Sequence, residues 1–120
     1  IYAYPYDAAT GELGPAVQWH QAVDGEGCPD GLALDARDHI WSARWDGYAL
    51  REHLSDGRVA GEIKFPVAQV SSVCFGGGDL GTMFVTTAGG NGLDSPEGAL
   101  FAVRRPGVYG KVKFRSRLEG

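Results

Sequence analysis

The sequence predicts an all-β chain, organised as a partial β-propeller of about two and a half four-stranded blades. Three observations carry this expectation. The 120 residues include 19 glycines without a Gly-X-Y period, which demands many tight turns and hence many short strands. Alternating apolar runs are separated by Asp-Gly pairs, the strongest short hairpin signal. A four-stranded meander recurs after about 40 to 50 residues, as propeller blades do.

Taken in order, the aromatic-rich run Ile1–Tyr6 and the run Ala16–Val23 read as a hairpin around the polar turn Asp7–Gly11. They make a half blade, 1–23. Gly31–Ala36, His39–Trp45, Tyr48–Leu54 and Arg58–Phe65 follow as four strands, turned at Arg37-Asp38, Asp46-Gly47 and Ser55-Asp56-Gly57. They make a whole blade, 30–66. The unit then repeats. Leu32-Ala-Leu corresponds to Val73-Cys-Phe, and Ile40-Trp-Ser-Ala to Met83-Phe-Val-Thr. Gly47-Tyr-Ala-Leu corresponds to Gly98-Ala-Leu-Phe, and Gly61-Glu-Ile-Lys-Phe65 to Gly110-Lys-Val-Lys-Phe114. A second whole blade is expected at 70–117, with an inserted loop at Gly89–Glu97. Ala49–Arg58 fits a helical wheel, but its Asp-Gly flanks and its place in the repeat favour strand. Blades bury their faces against neighbours, so a stack with free ends leaves apolar faces open. A chain that opens on Ile1 rather than Met is expected to be processed or part of a longer one. Further blades upstream, or a second copy in a homo-oligomer, would cover those faces.

Composition narrows the partners. Hydrophobic residues at 43% and charged residues at 22% are ordinary for a globular domain. The net charge of −4 argues against nucleic acid, whose phosphates require excess Lys and Arg. No run approaches the roughly 18 apolar residues of a membrane span, so no membrane partner is expected. Cys28 and Cys74 lack CxxC spacing and cannot build a disulfide framework, which favours a reducing, cytoplasmic setting. His20, His39 and His53 lie on different strands without His-x-His spacing and read as surface or packed histidines. Lys111–Arg117 alternates charge with Val112 and Phe114, as an outer strand with one solvated face does.

The sharpest segment is Glu26-Gly-Cys-Pro-Asp-Gly-Leu-Ala-Leu-Asp35, followed by His39-Ile-Trp-Ser-Ala43. Pro-Asp-Gly alone makes a turn in any protein. The extended run resembles the E-G-x-P-D-G-L-x-x-D-x-x-G-x-[IL]-W-[VS]-A pattern of the family that groups gluconolactonase, regucalcin (senescence marker protein) and luciferin-regenerating enzyme. Ile1–Glu12 resembles that family's outer hairpin just upstream. Val70–Gly77 and Met83–Ala88 resemble its closing blade. His39 and the Gly89–Glu97 loop depart from the pattern, and the family's upstream motifs are absent.

The resemblance implies a six-bladed propeller with one divalent cation (Ca, Zn, Mn or Mg) in the central channel. A Glu, an Asn and an Asp from different blades hold it, and the reaction is hydrolysis of a small sugar lactone. The Asp carries over to Asp30, as metal ligand and as the catalytic group that takes a proton from bound water. The Glu and Asn belong to the missing motifs. One carboxylate is too few for a hard cation, which takes about six oxygen ligands. The competing expectation is a non-catalytic binding or assembly module, or an inactive propeller fragment.

Strand alternation adds a point of its own. The loops at Trp45-Asp46-Gly47 and Gly89–Glu97 should lie at the same end of the blades as Asp30, which makes Trp45, Asp46 and Asn91 candidate pocket walls. Ser71 and Ser72, at the start of the innermost strand of the last blade, are candidates to bond a sugar hydroxyl. Asn91-Gly-Leu-Asp-Ser95 resembles the family's metal-binding N-G-[IL]-x-[WF]-S. It follows a second strand instead of leading into a first, so it reads as loop.

Overall fold

The computed structural model describes residues 1–89 and 96–112. The regular elements among them are all strands. They are β1 (Tyr2–Ala3), β2 (Val17–Gln18), β3 (Cys28–Leu34), β4 (Ile40–Trp45), β5 (Ala49–His53), β6 (Val59–Lys64), β7 (Val70–Gly76), β8 (Thr82–Thr87) and β9 (Leu100–Val103). None of the described residues forms a helix long and apolar enough to cross a membrane. The strands make three antiparallel sheets in chain order, β1-β2, β3-β4-β5-β6 and β7-β8-β9, which is the arrangement of a partial propeller.

The first pair is short because little holds it. Tyr2 stands opposite Gln18 and Ala3 opposite Val17, with an isolated bridge from Tyr6 to Leu13. The turn between them is fixed locally. The Asp7 carboxylate accepts the Ala9 N–H at 2.8 Å, and the Asp7 carbonyl accepts the Gly11 N–H at 2.7 Å.

The middle sheet follows the expected meander. Asp38 and Asp46 take left-handed φ values of 62° and 59° in its first two turns, a conformation Asp tolerates better than most residues. The third turn closes with the Gly57 N–H donated to Leu54 O at 3.0 Å. Alternation sorts the side chains of β4 and β5 into two faces. Trp41, Ala43 and Leu50 lie on one, and Ser42, Arg44, Arg51 and His53 on the other. The apolar face packs on Val70, Val73, Met83 and Val85 of the last sheet, with Ala33, Phe65, Val67 and Val108 completing the buried cluster. One core therefore joins the two larger sheets.

The last sheet departs from the repeat. It has three strands among the described residues, and Gly110, expected to open a fourth, pairs elsewhere. Gly110 forms an isolated antiparallel bridge with Asp35 of the middle blade, and its N–H is donated to Leu80 O at 2.9 Å. Tyr109 O accepts the Ala36 N–H at 2.7 Å. Val108 is buried in the shared core, which draws the chain inward after β9 instead of along its edge. Of the expected strand Gly110–Phe114, residues 113 and 114 lie outside the described residues, as does most of the basic run Lys111–Arg117.

Candidate functional site

β3 and β7 are the first strands of their sheets and lie against each other. Each carries a bulge near its start. In β3, Pro29 stands opposite Arg44 and Leu32 opposite Ser42, so Asp30 and Gly31 together face Ala43. Proline donates no N–H to a ladder, and a bulge is one of the few strand positions that accepts it. In β7, Val70 pairs with Thr87 and Ser72 with Thr86, leaving Ser71 as the extra residue. Bulges of this kind re-aim side chains and are common beside active sites. The two bulges abut. A Cβ on Gly31 would lie 2.7 Å from the Ser72 Cα, so only glycine lets the strands approach this closely.

Asp30 is exposed and unpaired among the described residues. No guanidinium or amide holds its oxygens, which leaves them open to a cation. Cys28 pairs with Trp45, which sets Trp45 and Asp46 at the same end of the sheet as Asp30. Gly27 packs so closely on that turn that a Cβ there would lie 2.5 Å from the Gly47 nitrogen. Ser71 Oγ lies 2.9 Å from Thr86 Oγ1. Thr86 joins the group only through strand register, which no local sequence signal reveals. The segment after β8 leaves from the same end, where Ala88 N–H is donated to Gln69 O at 2.9 Å. Asn91 in that segment lies outside the described residues.

A second cluster sits at the other end of the middle sheet, around the β3–β4 turn. Oxygens or ring nitrogens of Asp35, His39 and Glu52 lie within 4.8 Å of one another, close enough to hold a metal ion. Arg37 already bridges the two carboxylates, with Nη2 2.8 Å from Asp35 Oδ2 and 2.8 Å from Glu52 Oε1. Asp35 also accepts the His39 N–H at 3.0 Å and the Trp41 indole N–H at 3.2 Å. Burial alone would raise the Asp35 carboxyl, but the bonds from Arg37, His39 and Trp41 outweigh it and hold the group below the usual carboxylate range. A cation here would have to displace a guanidinium. The geometry is that of an ion-pair lock on the turn, and the sequence hid it because Glu52 lies two turns away from its partners.

The comparisons with known proteins agree with this architecture. The family model for the SMP-30/gluconolactonase/LRE-like region matches residues 1–89. Pentonolactonase XacC of Haloferax volcanii is 42% identical over 97% of this chain, which covers 43% of that protein. Regucalcin of Gallus gallus is 33% identical over 92% of the chain and 39% of its own length. Among solved structures, a luciferin-regenerating enzyme superposes with a TM-score of 0.84 at 28% identity, over 98% of this chain and 41% of that one. A calcium-binding regucalcin from Agrobacterium tumefaciens superposes with a TM-score of 0.82 at 30% identity, over 98% and 42%. The chain thus spans about two fifths of the length of these relatives. With a family match over its first 89 residues and the fold of the family's solved members, the chain belongs to the SMP-30/gluconolactonase/LRE-like family.

Proposed function

We propose that the protein carrying these residues hydrolyses a sugar lactone with a divalent cation, and that Asp30 is one ligand of that cation. The observation that carries this reading is the Asp30 carboxylate itself, free and exposed on a bulged inner strand, at the end where Trp45, Asp46 and Ser71 gather. The pentonolactonase among the relatives favours a lactone substrate, and the calcium-binding regucalcin favours a hard cation.

Asp30 fits a hard cation as an oxygen donor, and the remaining ligands would come from outside the described residues. Ca, Zn, Mn and Mg all accept a carboxylate ligand, so this donor does not choose among them. The cation, when bound, polarises the lactone carbonyl and lowers the pKa of a bound water. Asp30 would orient that water and take its proton as general base. Ser71 Oγ and Thr86 Oγ1 share one hydrogen bond, which leaves the second hydroxyl hydrogen of the pair for a sugar oxygen. Ser72 would contribute in the same way, with Trp45 and Asp46 as walls. The single free carboxylate on the bulged strands favours a second reading, a binding or assembly module without turnover.

One experiment separates them. In the full-length protein, Asp30→Asn is expected to lower divalent-cation affinity by about 100-fold and to cut pentonolactone hydrolysis at least as much. Asp56→Asn, in an exposed turn, should leave both unchanged. Calorimetry showing unaltered Ca²⁺ affinity in Asp30→Asn removes the ligand assignment. Cation binding by the wild type without lactone turnover supports the module.

A further inference from the structure

On β4 and β5 the polar side chains of the middle sheet are as buried as its apolar ones: Ser42, Arg44, Arg51 and His53 are all inaccessible or nearly so. Residues 19–27 cover it. At one end, the Trp19 indole N–H is donated to Ser55 O at 3.0 Å, in the β5–β6 turn. At the other, Glu26 pairs with Arg51, and Gly27 packs on the Gly47 turn. The segment therefore runs the length of the sheet and feeds directly into Cys28-Pro29-Asp30. Its other side borders a cleft of about 390 Å³, lined by Ile1, Gln21, Val23, Cys28 and Pro29.

Its centre is a cluster of histidines on an arginine. The His20 and His53 rings meet edge-on with centroids 4.3 Å apart, and Trp19 lies 5.5 Å from His53. Arg44 Nη2 is 2.7 Å from His53 Nε2 and 3.2 Å from His20 Nε2. His53 Nδ1 is 3.1 Å from Gly57 O. A carbonyl only accepts, so Nδ1 carries the hydrogen and Nε2 is bare. A guanidinium only donates, so His20 Nε2 is bare as well. Both rings are therefore neutral in this arrangement.

We propose that residues 19–27 form a latch on the segment leading into Asp30, closed while His20 and His53 are neutral and released when either ring takes a proton on Nε2. That proton would remove the bond from Arg44 and set cation against cation. The surrounding charges do not relieve it. Arg51 on β5 is a further cation, and Glu26 on the segment is committed to Arg51 and to the Val23 N–H at 3.1 Å. Asp56 at the β5–β6 turn is paired with Arg58 at 2.7 Å. Cys28 is the one titratable group that β3 brings near Arg44.

Burial pulls His53 down to about 4 against the opposing bond to Gly57 O, and the neighbouring His20, Arg44 and Arg51 lower it further. Burial and Arg44 lower His20 as well, with Glu26 opposing. Folded values below the free one of about 6.5 mean that closure is fully favoured above that pH and weakens as pH falls towards 4. The consequence for function rests on the reading of Asp30 as a ligand; the latch itself does not.

Amide hydrogen exchange on the full-length protein tests it, followed by mass spectrometry at pH 7 and 4.5 with correction for intrinsic rates. Opening of residues 19–27 is expected to rise about tenfold per pH unit below roughly 6.5, while β7 and β8 keep their protection. His53→Gln keeps an acceptor for Arg44 but cannot take a proton, so it should weaken this response, and adding His20→Gln should flatten it. Arg44→Met removes the opposing charge and serves the same purpose should the first variant misfold. Wild-type protection that does not change with pH overturns the latch, and so does an equal response in His53→Gln and Arg44→Met. A responsive latch combined with unchanged Ca²⁺ affinity in Asp30→Asn would sink the functional reading and leave the latch standing.

Discussion

Asp35 is buried and accepts hydrogen bonds from Arg37, His39 and Trp41, whereas Asp30, five residues earlier, is exposed and accepts none among the described residues. The chemistry follows from that difference. A saturated carboxylate has no lone pair to offer a cation, and a free one has. Pro29-Asp30-Gly31 was legible in the sequence because proline and glycine punctuate a strand wherever they fall. The contact that makes Gly31 indispensable was not legible, because Ser72 reaches it only through the packing of a different blade. Gly31→Ala is expected to cost about 1–3 kcal/mol by overpacking, read as a lower midpoint in urea. Ser72→Ala should not rescue it, since the clash is with the Ser72 Cα at 2.7 Å and not only with its hydroxyl. A Gly31→Ala protein as stable as the wild type would show that the two bulges do not meet.

At the scale of elements, strand and turn positions were readable wherever local chemistry sets them. Asp46-Gly47 and Ser55-Asp56-Gly57 turn the chain where their residue types require, and the last three strands up to Lys64 follow from alternation, whereas the first, expected from Gly31, begins at Cys28 and takes Pro29-Asp30-Gly31 into its bulge. Elements set by distant packing were not readable. Gly110 takes the place of Gly61 in the repeat, yet it fits against Phe75 and bridges Asp35, so at this residue the resemblance of sequence does not become a resemblance of pairing. The Arg37, His39 and Glu52 network escaped for the same reason. The shared core makes the two larger sheets depend on one another. Met83, fully buried between them, is expected to destabilise the protein by about 2–5 kcal/mol when changed to Ala. Amides of β4 should then lose protection together with those of β8, because Met83 packs in the same cluster as Trp41 and Ala43. Loss confined to β7–β9 would mean two separate cooperative units.

The whole molecule presents faces that a closed propeller would cover. Leu32 and Leu34 of β3 are 47% and 41% exposed, and half-buried Ile40 stands opposite Leu34. At the far side, Leu100 on β9 is 64% exposed, and β9 has a free outer edge among the described residues. Large apolar patches and open strand edges both favour association. Residues 1–120 expressed alone are therefore expected to self-associate, with a weight-average mass that rises above 12.8 kDa as concentration increases in sedimentation equilibrium. Leu32→Ser combined with Leu34→Ser should weaken that association, since both side chains leave the same face of β3. Adding salt should not weaken it, because the face is apolar and screening acts on charges. A chain that stays at 12.8 kDa at all concentrations would show that the open faces are tolerated as they stand. In a protein of the relatives' full length, the prediction reverses. Further blades would bury Leu32 and Leu34, the oligomer would be absent, and the double substitution would lower folding stability instead of raising solubility.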